Sequence, residues 1–143
     1  MIPLREHRPA LGRTLRELTE EEFAARYGCD RFTATVLGNR FDYLVEHMSV
    51  RLLTGAFSPV LRDVYDLAAT LNGPPELGYP VPAVSNGIVL MAGTTIDAVR
   101  NTVEEYGPDR LVPGDVLIAN DPYRTGNHNN DLLFIRPVFH DGK

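Results

Sequence analysis

Residues 116–139 read VLIANDPYRTGNHNNDLLFIRPVF. Two apolar runs, 116–119 and 132–135, stand on either side of the twelve residues 120–131, which are almost wholly polar. Apolar runs this short have the length of strands, not helices. Val138-Phe139 continues the second run past Pro137, which has no N–H for a ladder and so marks an edge or a bulge. Pro113-Gly114-Asp115 is a turn ahead of the first run, and Asp141-Gly142 is a hairpin signal after the second. A returning strand is expected after such a signal, yet only Lys143 follows. The chain is therefore expected to be the N-terminal piece of a longer polypeptide.

Upstream, helical spacing takes over. Ile88, Ile96, Val99, Val103 and Tyr106 set a helix that Gly107-Pro108 closes, with Thr94 or Thr95 expected to cap a turn or its second half. Phe32, Val36, Phe41, Leu44, Met48 and Leu52 recur at gaps of 4, 5, 3, 4 and 4, a 3.6-residue stripe. Asp30 is its expected N-cap and Gly55 its stop. A helix of about 23 residues is roughly 35 Å long. That is the width of a small domain, so one end is expected to pack on something outside this chain. Thr19 and Glu22 have capping-box spacing for a shorter helix, on which Phe23 and Tyr27 share a face and Gly28 ends the run. Residues 63–71 are expected as one strand, followed by the turn Asn72-Gly73-Pro74-Pro75. Residues 1–17, with Pro3, Pro9 and four arginines, read as a polar arm. The expected order is helix, helix, strand, helix, strand, strand. That is an α/β or α+β fold in which N-terminal helices pack on an incomplete small sheet. Residues 1–30 form the arm and short helix, and 31–143 the first part of a larger domain.

Composition narrows the function classes. The 143 residues have room for one domain. Fourteen Lys and Arg against 19 Asp and Glu leave a net charge of −5, the wrong sign for a nucleic-acid backbone binder. A single cysteine, Cys29, excludes an internal disulfide and a Cys-based zinc site, and it is expected to be a small buried filler. No apolar run approaches the roughly 18 residues of a membrane span, and the first residues lack the apolar core of a secretory signal. The expected location is the cytoplasm.

Residues 120–131 are where the residue types call for a chemical account. His128 and Asp131 are three apart, and an imidazole and a carboxylate can converge on one divalent ion if the chain turns between them. Gly126, Asn127, Asn129 and Asn130 permit that turn. Asp121, held extended by Pro122, can supply a third oxygen or orient a ligating histidine. Asp, Asn and Gly are also the commonest turn residues, so a purely structural loop is the competing account. Arg124 is open to two readings, an anion clamp or a surface ion pair. His47 reads as a helix-surface residue and His140 as a turn residue. Neither the P-loop nor the Gly-x-Gly-x-x-Gly pattern occurs, nor does Gly-x-Ser-x-Gly.

The run GDVLIANDPYRTGNHNNDL, residues 114–132, with PVFHDG at 137–142, resembles the hydantoinase B/5-oxoprolinase family. The segments Asn39-Arg-Phe, Glu46-His-Met48 and Ala56-Phe-Ser-Pro59 and the helix from Val99 to Tyr106 are similar to that family too, and the likeness runs from about residue 31 to the end. The resemblance implies a longer protein and a hydantoinase A-type partner subunit that binds ATP. It implies metal-dependent chemistry on a small cyclic amide, hydantoin or 5-oxoproline-like, with a divalent ion such as Zn, Mn or Fe. By position it makes His128 and Asp131 metal ligands, with a further histidine ligand expected beyond Lys143. It places Asp121 as a ligand or an orienting group, and Arg124, read as an anion clamp, is the second candidate catalytic residue beside it. An acetone or acetophenone carboxylase subunit, acting on a ketone, is the alternative within the family. A non-catalytic assembly module is the alternative outside it.

Overall fold

The computed structural model describes residues 14–125 and 128–140. Two compact units meet in sequence between Asn39 and Arg40.

In the first unit, the Thr14 N–H donates to Glu17 Oε2 at 2.7 Å over a short 3-10 turn, Leu15–Glu17. Most of the expected arm, residues 1–13, lies outside the described residues. Helix α1, Glu20–Tyr27, begins at the expected capping box. The Glu22 N–H donates to Thr19 Oγ1 at 3.2 Å, and the Thr19 N–H donates to Glu22 Oε2 at 2.7 Å. Gly28, at φ 72°, closes α1 in the left-handed conformation that a residue without Cβ adopts freely. Phe23 is buried, with the Tyr27 ring 4.7 Å away and the Arg31 guanidinium 4.6 Å over its own ring. Arg31 also pairs with Glu20 at 2.6 Å and donates to the Leu18 carbonyl. Cys29 is only half-buried, not the buried filler expected.

Helix α2, Arg31–Gly55, spans the stretch that the apolar spacing predicts. The Thr33 N–H donates to Asp30 Oδ1 at 2.7 Å, so Asp30 is the cap. The side chains of the predicted stripe do not form a core. Phe32 is 79% exposed, and Val36, Phe41, Leu44, Met48 and Leu52 are all exposed as well. Val45 and Ser49 are the buried residues of α2. A helix forms from spacing and caps, but its apolar face is buried only if another element covers it.

The second unit departs from expectation after Gly55. Helix α3, Pro59–Val64, occupies the start of the expected strand 63–71, and β1 is only Thr70–Leu71. Pro59 stands at the first helical position, where its missing N–H is harmless. Tyr65, at φ 60°, then ends α3, with the Tyr65 N–H donating to the Leu61 carbonyl. A left-handed residue cannot sit in an extended ladder, which is why the strand starts late. β1 pairs antiparallel with β2, Ala83–Val84. Ser85 extends the pair, its N–H donating to the Ala69 carbonyl and its Oγ accepting from the Ala69 N–H. The Gly73 N–H donates to the Pro80 carbonyl at 2.7 Å and closes the expected turn.

Helix α4, Val89–Tyr106, runs unbroken to Gly107. Thr94 and Thr95 lie inside this unbroken helix, and each Oγ1 donates to the Met91 carbonyl on the helix itself. Strands β3, Leu117–Ala119, and β4, Leu133–Ile135, pair antiparallel with Ile118 opposite Phe134. Leu117 and Ile135 face a core of Tyr79, Val99 and Val103, to which Leu111 adds. Ile118 and Phe134, on the other face by strand alternation, are about three-fifths exposed. Among the described residues the fold mixes helices with two two-stranded antiparallel sheets, in keeping with the expected α/β or α+β class. The hairpin signal at Asp141-Gly142 lies outside the described residues.

Candidate functional site

The chain between β3 and β4 is not a plain loop. Asp121 caps a single helical turn, α5, Pro122–Thr125. Its Oδ1 accepts from the Tyr123 N–H at 3.0 Å, and its carbonyl accepts from the Arg124 and Thr125 N–H groups and the Thr125 hydroxyl. Asp before Pro is extended, and Pro is favoured at the first helical position, so this Asp-Pro step starts a turn of helix. The Asn120 side-chain amide donates to the Asn129 carbonyl at 3.2 Å and closes the mouth of the segment. Gly126 and Asn127, expected turn formers, lie outside the described residues.

Arg124 is held on two sides. Its Nη1 lies 2.7 Å from Glu105 Oε2, and its Nε lies 3.6 Å from Asp121 Oδ2. Asn101 Nδ2 donates to the Arg124 carbonyl at 2.9 Å. Of the two readings of Arg124, the geometry is that of the ion pair. Asn101 and Glu105, one helical turn apart on α4, dock α5, and the sequence alone does not single them out. Their i, i+4 spacing is the signal, visible once α5 is known to lie beside that face.

His128 and Asp131 come together. His128 Nδ1 lies 3.4 Å from Asp131 Oδ1, the Asp131 N–H donates to the His128 carbonyl at 3.0 Å, and the His128 N–H reaches Asp131 Oδ2 at 3.4 Å. The carboxylate is mostly buried and the imidazole two-thirds exposed. Zinc binds nitrogen and carboxylate oxygen at about 2.0–2.2 Å in tetrahedral geometry, which puts two such donors roughly 3.4 Å apart. The pair therefore fits a shared ion in donor type and spacing, and it equally fits an ion pair when the imidazole is protonated. Asp121 does not join it: its carboxylate caps α5 and faces Arg124. Among the described residues, no group of three or more His, Cys, Asp or Glu side chains could hold a metal ion.

Residues 30–143 match the family Hydantoinase B/oxoprolinase. An uncharacterized protein of Methanocaldococcus jannaschii is 31% identical over 78% of this chain and 20% of its own length. The 5-oxoprolinase of Dictyostelium discoideum is 26% identical over 80% of this chain and 9% of its own. The 5-oxoprolinase 1 of Arabidopsis thaliana is 30% identical over 76% of this chain and 8% of its own. The chain thus spans a fifth or less of the length of these relatives. No solved structure matches.

Proposed function

The chain belongs to the hydantoinase B/oxoprolinase family, and we propose that it forms the N-terminal part of a subunit that opens small cyclic amides with ATP and a divalent metal. Two of the similar proteins carry the name 5-oxoprolinase, which supports a ring amide as the substrate class. The observation that carries the reading is the imidazole–carboxylate pair of His128 and Asp131, 3.4 Å apart between two strand ends.

His128 and Asp131 would hold the ion, with remaining donors supplied from outside the described residues. Once bound, a divalent ion of the Zn, Mn or Fe type polarises a carbonyl or lowers the pKa of a water. The chain's own part is positional. Asp131 is anchored through its backbone N–H, so its carboxylate is aimed at the imidazole before any ligand arrives. Asp121 sets the start of α5, and Glu105 holds Arg124 against α4, which fixes the entry to the segment that bears His128. A ring amide is resonance-stabilised and resists water. Phosphoryl transfer from ATP on a hydantoinase A-type partner weakens that resonance at the amide oxygen, and the subunit containing this chain then acts on the activated ring.

Metal content after dialysis against zinc, manganese or iron, measured for the purified subunit and for His128→Ala and Asp131→Ala, tests this. Each variant is expected to lose metal affinity by tenfold or more. Unchanged content in both variants overturns the metal reading and leaves the pair as an ion pair in an assembly module.

A further inference from the structure

The sequence holds two Asn-Gly steps, Asn72-Gly73 and Asn86-Gly87. Asparagine is a thermally labile residue, and a following glycine lacks the Cβ that would shield the next backbone nitrogen from its side-chain amide. The structure treats the two steps differently. At the first, the Gly73 N–H is committed to the Pro80 carbonyl at 2.7 Å. Both ends of the Asn72 amide are engaged as well. Its Oδ1 accepts from the Thr70 hydroxyl at 2.8 Å, and its Nδ2 donates to the Tyr79 carbonyl at 3.5 Å. Bringing the Gly73 nitrogen onto the Asn72 side chain would break these bonds.

At the second step Asn86 is exposed. Among the described residues, neither its side-chain amide nor the Gly87 N–H has a hydrogen-bond partner. Asn86 is held through its backbone N–H, which donates to Glu46 Oε1 at 2.7 Å. Packing requires glycine at the next position, because a Cβ at Gly87 would lie 2.1 Å from the Leu67 carbonyl oxygen. The fit against Leu67 thus demands the residue that leaves its own nitrogen least shielded.

We infer that Asn86-Gly87 is a site of spontaneous deamidation and isoaspartate formation, selected over Asn72-Gly73 by its free amide and free N–H. The Gly87 nitrogen attacks Asn86 Cγ. A bond forms between them, the Cγ–Nδ2 bond breaks, and ammonia leaves with the proton that the Gly87 nitrogen gives up. Water then opens the cyclic imide. Opening at Cγ yields aspartate. Opening at the backbone carbonyl carbon of residue 86 yields isoaspartate, with the main chain rerouted through Cγ. Either product places a new negative charge beside Glu46. The isoaspartate also lengthens the main chain by one carbon between two anchors. These are the Ser85 N–H on the Ala69 carbonyl at 2.9 Å and the Ile88 N–H on the Leu67 carbonyl at 3.1 Å. The anchors tie the end of β2 and the entry to α4 to residues 67–69, so the longer linkage loosens both.

The test is incubation of the 143-residue chain at mildly alkaline pH, folded and in urea, with peptide mapping by mass spectrometry at intervals and isoaspartate counted by enzymatic methylation. In the folded chain, conversion at residue 86 is expected to run about tenfold or more ahead of residue 72, which must wait for local opening. In urea the two rates are expected to converge. Asn86→Gln, a change at an exposed position, is expected to abolish conversion there and to leave amide exchange at Ser85 and Ile88 as it was. The isoaspartate form, separated by anion exchange, is expected to exchange those two amides faster than the unmodified chain. No conversion at residue 86, or conversion at residue 72 as fast in the folded chain, overturns the site. The same rate ratio in urea as in the folded chain overturns selection by structure. Unchanged exchange at Ser85 and Ile88 in the isoaspartate form overturns the structural consequence.

Discussion

Asp30 shows how one side chain starts a helix and ties it to pH. The Thr33 backbone N–H, and then the Thr33 hydroxyl at 3.2 Å, stabilise the ionised carboxylate and hold its pKa below the ordinary 3.8. The cap's contribution is therefore present above pH 3.8 and is lost as the pH falls through the lowered value. An NMR titration of the Asp30 carboxyl is expected to give a midpoint under 3.8, and Asp30→Ala is expected to make α2 less sensitive to acid. Tyr79 works in the opposite sense. Burial first, and Glu104 second, push its phenol above the ordinary 10.0, against a smaller pull from Arg100. Stability from the buried phenol is full below pH 10 and is lost as the pH rises toward the folded-state value. Tyr79→Phe should flatten the alkaline limb of the unfolding profile measured above pH 10. Gly87 is constrained by space: a Cβ there would collide with the Leu67 carbonyl oxygen, which already accepts the Ile88 N–H. Gly87→Ala is expected to destabilise by about 2 kcal/mol in urea unfolding.

At the scale of elements, the β3–β4 hairpin is stable because one face has α4 to lie on. Val103 is buried in the cluster that Leu117 and Ile135 cover, whereas Ile118 is on the outer face. Val103→Ala should cost about 2 kcal/mol and Ile118→Ala under about 0.5 kcal/mol, a contrast that urea midpoints measure directly. The hairpin strands were legible because apolar runs of strand length border a polar segment. Helices α1, α2 and α4 were legible because their ends carry local signals: Thr19 with Glu22, Asp30, and Gly107. Residues 63–71 read as one strand in sequence because Val64, Leu67 and Leu71 suit a strand as well as the end of a helix. The left-handed Tyr65 that separates the two is set by the carbonyls it bonds, not by its residue type. α5 was hidden inside a segment whose Asp, Asn and Gly content reads as loop.

For the whole molecule, exposed apolar side chains set the behaviour in solution. Phe57 is 97% exposed and Val138 87%, and the outer hairpin face adds Ile118 and Phe134. Exposed apolar side chains of this size, with Ile118 and Phe134 adjacent across the hairpin, favour association. Sedimentation velocity of the 143-residue chain should show mass rising with concentration, and a double change, Ile118→Glu with Phe134→Glu, should reduce it. A strict monomer at all concentrations would mean that these side chains are covered in solution. No helix among the described residues is long and apolar enough to cross a membrane. The relatives carry at least four-fifths of their length outside the matched stretch, chain enough to cover such surfaces in their own folds.

The caps of α1 and α2, the extents of α1, α2 and α4, the β3 and β4 runs and the Asn-Asp-Pro-Tyr segment follow from the order of residues alone, because each depends on neighbours within about four positions. The tertiary structure decided which faces are buried and which charges meet. It set Val45, not the Phe32-to-Leu52 stripe, among the buried residues. It brought Arg124 to Glu105, nineteen positions away, whereas the Asp121 cap of α5 and the pairing of His128 with Asp131 are local. A pairing such as Arg124 with Glu105 depends on how separate elements come to lie together, and residue spacing carries no record of that.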